Sequence, residues 1–146
     1  NPPALSGSRS NASSVKDELL QQVSDSHCGL LPQAQMPAML AVQQQRDRRM
    51  AERLLAAPEP SMLIAGAFHA RKDVGVPIHV LDLGAPEAPT VLLLVQQGSE
   101  VNAAMADYVW YTPAMPIPDY CEQMRKQFGK QRGPVGAVER SEAAIF

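Results

Sequence analysis

The chain has 146 residues, a length typical of a single domain, and 45% of them are apolar, which is enough for a hydrophobic core. Its formal net charge of −2 and its pI of about 5.9 exclude the strongly basic surface that nucleic acids bind, so we expect no nucleic-acid partner. No apolar run approaches the ~18 residues of a membrane-spanning helix.

The two ends of the chain differ in composition from the rest. Residues 1–12 are rich in Ser, Pro and Asn and predict a loop or linker, and residues 130–146 predict an irregular tail. No charged and then apolar signal region follows Asn1. We therefore expect residues 1–146 to form one α/β domain, or a part of one that belongs to a longer protein.

Three segments have helical periodicity, namely residues 13–26, 36–57 and 119–128. Ser13 or Ser14 is placed to cap the first of them with its hydroxyl group. Glycine or proline follows each segment, where the chain must leave the helix. We expect these helices to flank a sheet.

Four segments predict strands, namely residues 62–66, 78–83, 90–96 and 108–112. The third is continuously apolar, as strands covered on both faces are. Helices followed by several strands and a last helix indicate the α/β class, with a layered sheet and flanking helices. The first strand ends at Gly66, where the absence of a Cβ atom permits a sharp turn.

His69 is the strongest candidate for a functional residue. It belongs to the turn Gly66-Ala67-Phe68-His69, directly after a predicted strand, and Arg71 and Lys72 follow it. Open α/β sheets bind ligands beyond the ends of their strands. A histidine there can coordinate a metal, hydrogen-bond a ligand or move a proton. The alternative is a histidine that only hydrogen-bonds its own turn.

The long helix has a polar centre on one face. Asp47 and Gln43 fall within an otherwise apolar stripe, whose members are Met36, Leu40, Gln43, Asp47, Met50 and Leu54. A buried carboxylate requires a partner, because an unpaired interior charge is costly. We expect Asp47 to line a polar cavity or to anchor the 69–73 loop, and the alternatives are a structural salt bridge or an exposed position.

The aromatic strand offers a second group of candidates. Period-2 geometry places Tyr108 and Trp110 on one face and Tyr111 on the other. A tyrosinate can ligate ferric haem iron, and aromatic rings stack on flat macrocycles. Packing in a core or an interface is the alternative. His79 lies between Ile78 and Val80, and this position favours a structural role.

The two cysteines leave their pairing open. Cys28 and Cys121 permit one disulfide in an oxidising compartment or two free thiols, and the absence of a spacing pattern favours thiols.

Several of these segments together resemble a known family, the ChaN-like haem-binding lipoproteins of bacterial iron uptake. The segments are Asp25–Cys28, Gln45–Ala51, Gly66–Pro77 and Ala106–Trp110. The resemblance extends over residues 15–112, and its most specific part is the string G-x-x-H-x-R-K-D-x-G-V-P. It implies an α/β domain in the cell envelope, in the periplasm or as an outer-membrane lipoprotein. It also implies a haem-binding dimer that serves an outer-membrane haem receptor.

The resemblance also implies roles for individual residues. His69 would contact haem, as an iron ligand or as a hydrogen-bond donor to a propionate. Arg71 or Lys72 would pair with the propionates, whose carboxylates suit a guanidinium group. Tyr108 would bind iron or stack on the macrocycle. Asp47 and Arg46 would hold these residues in place without contacting the haem themselves.

The chain departs from the family in length. Members of the family are about twice as long and carry an upstream histidine motif that is not found here, so we expect the C-terminal half of such a domain. The alternative function is a metal-dependent hydrolase, peptidase-like or esterase-like, in which His69 is one metal ligand. Catalytic zinc needs about three protein ligands. We expect a binding protein in preference to an enzyme.

Overall fold

The structure, a computed structural model, describes residues 7–130. The chain forms two compact units, which divide between Pro116 and Ile117. The linker prediction at residues 1–6 and the tail prediction at residues 131–146 lie outside the described residues. Among the helices within residues 7–130, none is both long enough and apolar enough to cross a membrane.

Five α-helices, one 3₁₀ turn and two strands are the regular elements of the described residues. In chain order they are α1 Ser13–Ser26, a 3₁₀ turn Gln33–Gln35, α2 Met36–Ala56, α3 Ala67–Ala70, α4 Val76–Asp82, β1 Leu92–Gln96, β2 Tyr108–Thr112 and α5 Tyr120–Lys130. The three predicted helices are therefore confirmed as α1, α2 and α5. The capping prediction is wrong, because Ala12 takes the N-cap position of α1 and no side chain caps it.

Two of the four predicted strands are wrong. Residues 78–83 belong largely to α4, which begins at Val76 after the N-cap residue Gly75 and has proline in its first turn. Val76 and Val80, four residues apart, pack against Ala51 of α2, so the apolar pattern here has the helical period. Residues 62–66 form neither a helix nor a strand, and no described strand pairs with them.

The remaining two predicted strands are confirmed. β1 and β2 pair in parallel, with Leu92 opposite Tyr108 and Leu94 opposite Trp110. On the other face, Leu93 is buried in a small core with Val91 and Ala106. The structure is thus an α/β arrangement of helices with a small parallel sheet, as the sequence predicts.

One face of this sheet is uncovered in the described chain. Its four large side chains are all at least half exposed, and we call them the open sheet face: Leu92, Leu94, Tyr108 and Trp110. The expectation that the continuously apolar strand is covered on both faces is therefore wrong. Isolated side chains of this kind are common on protein surfaces, but a contiguous group of four marks a surface that another group can cover.

The cysteine interpretation also changes. Neither Cys28 nor Cys121 is a free thiol in the structure, so the favoured prediction of two thiols is wrong.

A candidate ligand site at the His69 turn

The segment from Gly66 to Gly75, which we call the His69 turn, is held by its own backbone. The N–H groups of His69 and Ala70 donate to the carbonyl of Gly66 at 2.9 and 3.1 Å. The N–H group of Gly75 donates to the backbone carbonyl of Arg71 at 3.0 Å. A Cβ atom at Gly75 would lie 2.2 Å from the His69 carbonyl oxygen. Gly75 is therefore the position at which this turn requires glycine.

Gly66 has no comparable requirement. Its φ of −59° and ψ of 150° are accessible to other residues, and a Cβ there would meet no atom closer than 3.9 Å. The prediction that Gly66 makes the turn possible by its lack of a Cβ is therefore wrong.

The His69 turn lies at the amino ends of the two strands. Lys72 N–H donates to the Met105 carbonyl at 2.9 Å, and its ammonium group pairs with Asp107. Asp107 directly precedes β2 and accepts a 2.8 Å hydrogen bond from Val91 N–H, directly before β1. The expectation that His69 follows the carboxyl end of a sheet strand is wrong, because residues 62–66 are not a strand.

Helix α2 brings two polar side chains to the imidazole of His69. Nδ1 of His69 lies 2.5 Å from Oδ1 of Asp47 and 3.1 Å from Nε2 of Gln43. Asp47 is fully buried, whereas 25% of the His69 side chain is exposed. The ring is therefore held from the inside and accessible from the outside. This contact also joins Asp47 to the 69–73 loop.

The burial of Asp47 changes its protonation. Burial raises the pKa of Asp47 to about 6, although the hydrogen bond and the charge of His69 act in the opposite direction. At pH 7 the carboxylate is therefore mainly charged. The second oxygen, Oδ2, has no hydrogen-bond partner among the described residues.

Arg71 is a structural residue in this arrangement. Its guanidinium group is buried, donates to both carboxylate oxygens of Asp73 and reaches Glu18 of α1 at 3.0 Å. The carboxylate of Asp73, followed by that of Glu18, raises the pKa of Arg71 further above its usual value. The guanidinium carbon of Arg71 lies 5.9 Å from the centre of the Phe68 ring. Arg71 thus ties the His69 turn to α1.

Two of the other predicted site residues are exposed. Arg46 is exposed on α2, and Tyr108 lies on the open sheet face beside Trp110. No hydrogen bond or ion pair between described side chains connects either residue with His69. Their predicted roles toward haem stay predictions.

The sequence argument did not name Gln43 as a site residue. The signal was present, because Gln43 precedes Asp47 by four residues and therefore shares its face of α2. What the sequence could not give was the partner, since 26 residues separate Gln43 from His69.

An apolar cleft lies beside the His69 turn. It has a volume of about 600 Å³ and is lined by residues of α2, α4 and the 61–65 and 85–92 segments, with Ala65 and Ala70 on the side of the turn. Volumes of this size and apolar walls are typical of small-molecule sites. Within residues 7–130, no group of three or more His, Cys, Asp or Glu side chains could hold a metal ion.

Fold and site together define an α/β protein with a carboxylate-bound histidine in a turn that meets a mainly apolar cleft at Ala70, and His69 itself is not among the residues that line this cleft. The family described as haem-binding uptake, Tiki superfamily, ChaN matches residues 1–80, which is more than half of the chain, and the chain belongs to that family. The resemblance inferred from the sequence is therefore confirmed.

A solved structure is also similar to this chain. It is described as "Cofacial heme binding to ChaN of Campylobacter jejuni", has 30% sequence identity and gives a TM-score of 0.65 over 75% of this chain. The chain spans 43% of the length of that protein. No curated protein sequence matches the chain.

Proposed function

We propose that this chain binds haem and serves haem or iron uptake in the cell envelope. Family membership and the similar solved structure support haem as the ligand. The observation that carries the proposal is the His69 imidazole, which a fully buried Asp47 holds at Nδ1 while a quarter of the side chain is exposed. A ring held in this way offers its Nε2 atom to a ligand.

The chemistry of the described residues fits haem. Haem combines an iron atom, two carboxylates and a broad apolar ring, and it supplies the iron centre when bound. His69 would contact the iron or a propionate. Lys72 is the better candidate for a propionate, because Arg71 is already bound by two carboxylates, whereas Lys72 is half-buried and pairs with an exposed Asp107. The apolar cleft beside the turn suits the ring.

We also propose that the haem complex is a homodimer and that its donor or acceptor is an outer-membrane haem receptor. The open sheet face supports the dimer, because four large apolar or aromatic side chains there are available to a second copy or to a haem face. Tyr108 belongs to this face and would bind iron or stack on the ring.

A haem titration followed by absorbance tests the ligand. We expect a saturable change in the Soret band at a defined stoichiometry in the low-micromolar range. Sedimentation analysis of the same samples tests the dimer, with Trp110→Ser as the variant and the apo protein as the reference. The absence of any spectral change at stoichiometric haem would contradict the proposed function. A monomeric haem complex would contradict only the dimer.

A further inference from the structure

We propose that Gln43 and Asp47 are positioning residues that together keep the hydrogen of the His69 imidazole on Nδ1 and present Nε2 to the ligand. The inference rests on the proposed function for the identity of the ligand. The arrangement of the three side chains is independent of it and can be tested without haem.

The first step concerns the hydrogen on the ring. The 2.5 Å contact between Nδ1 and Asp47 Oδ1 is a charge-assisted hydrogen bond, and a carboxylate can only accept. Nδ1 must therefore donate. In a neutral imidazole the other nitrogen, Nε2, then has no hydrogen and presents a lone pair. Because Asp47 is fully buried, water cannot replace the imidazole as its partner.

The second step concerns Gln43. Its amide lies 3.1 Å from the same Nδ1 atom, one helical turn before Asp47. An amide group presents either nitrogen or oxygen to a neighbour after a half-turn of its last bond. Since Nδ1 carries the hydrogen, the compatible arrangement has the Gln43 oxygen toward the ring. Gln43 and Asp47 then hold the same ring edge from two points on α2.

The third step is geometric. Two contacts on one nitrogen restrict rotation of the ring about its bond to Cβ. Because α2 is a 21-residue helix packed on α1 and α4, both contacts come from a rigid support. Nε2 lies on the opposite edge of the ring from Nδ1, away from these contacts. Any contact with haem, to the iron or to a propionate, would therefore be made through Nε2.

NMR of the apo protein with ¹⁵N-labelled histidine tests the arrangement. At pH 7.5 we expect His69 to have a protonated Nδ1 and an unprotonated Nε2. Gln43→Met, which keeps the length but removes the oxygen, should admit a minor Nε2–H population, because Asp47 alone then holds the ring. Gln21→Met on α1 is the matched control. An Nε2–H tautomer in the wild type, or no change in Gln43→Met, would overturn the inference.

A haem titration of the same variants separates the inference from the proposed function. We expect Gln43→Met to bind haem about tenfold more weakly, as is usual when the partner that orients a ligating histidine is lost. The Nε2 resonance, not that of Nδ1, should respond first to substoichiometric haem. If the apo tautomer is as expected but haem does not bind, the proposed function fails and the positioning role stands. If haem binds equally well to Gln43→Met, the positioning role fails.

Discussion

The His69 turn and the open sheet face have opposite kinds of surroundings. The His69 turn is fixed by the described chain itself: Gly75 packs against its backbone, Arg71 ties it to α1, and Asp47 holds its histidine. The open sheet face exposes Tyr108 and Trp110 without a covering layer in the described chain. A preorganised group can bind a ligand without further ordering, whereas an uncovered apolar surface gains from a partner.

This difference assigns separate tasks to the two regions. The His69 turn provides a single oriented polar atom, and the open sheet face provides area for a ring or for a second copy. Changes in the His69 turn should therefore affect the stability of the apo protein. Changes on the open sheet face should affect the complex more than the apo protein. The following substitutions compare the two regions, beginning with the largest expected effect.

Gly75→Ala should be the most damaging change. The new Cβ would lie 2.2 Å from the His69 carbonyl oxygen, a backbone atom that cannot move without the turn. We expect a loss of about 4 kcal/mol in the free energy of unfolding, or a failure to fold. Gly66→Ala is the control, because its Cβ meets nothing closer than 3.9 Å. Urea denaturation measures both, and equal effects of the two variants would refute our account of the turn.

Leu93→Ala and Leu94→Ala compare the two faces of one strand. Leu93 is 4% exposed and Leu94 is 65% exposed. We expect Leu93→Ala to lower the free energy of unfolding by about 2 to 4 kcal/mol and Leu94→Ala by about 0.5 kcal/mol or less. Urea denaturation of the apo protein provides the values. A large loss in Leu94→Ala would mean that the open sheet face is covered in the apo protein.

His79→Gln should make the free energy of unfolding less sensitive to acid. Burial lowers the pKa of His79 to about 4, the charge of Asp82 acts in the opposite direction with a smaller effect, and the charge of Arg48 lowers the pKa slightly further. Between pH 6.5 and 4 the unfolded chain thus binds a proton that the folded chain does not, so the free energy of unfolding falls as the pH falls through this range. From pH 7 to pH 4.5 this contribution amounts to about 2 kcal/mol.

The measurement is the difference between the free energy of unfolding at pH 7 and that at pH 4.5, each obtained by urea denaturation. We expect this difference to be smaller in His79→Gln than in the wild type. An unchanged difference in His79→Gln would show that another group causes the acid sensitivity.

The helices and the sheet strands were predictable to different degrees. α1 and α2 are long enough for their apolar period and flanking residues to define them. The 78–83 segment has only six residues, and over such a length an apolar pattern fits a strand or a buried helix equally well. Residues 62–66 have the composition of a strand but no described neighbour to pair with, and pairing is not a local property.

The residues at the centre of the candidate site could be singled out from the sequence, but their surroundings could not. His69 and Asp47, which the structure brings into contact, both stand out because a glycine-bounded turn and a polar break in an apolar stripe are local signals. Their contact was expected only as one of several alternatives. The ion pairs of Arg71 with Asp73 and Glu18 depend on the packing of the His69 turn against α1. This packing joins segments that are far apart in the sequence, so no local pattern predicts it. The requirement for Gly75 arises from a backbone approach in three dimensions.

Haem affinity in His69→Ala is the most direct test of the central claim, that the oriented imidazole of this turn contacts haem. We predict a loss of at least about tenfold in affinity and a shifted Soret band. His27→Ala should bind haem like the wild type. An unaltered Soret titration in folded His69→Ala would contradict the claim and would transfer the site to the open sheet face.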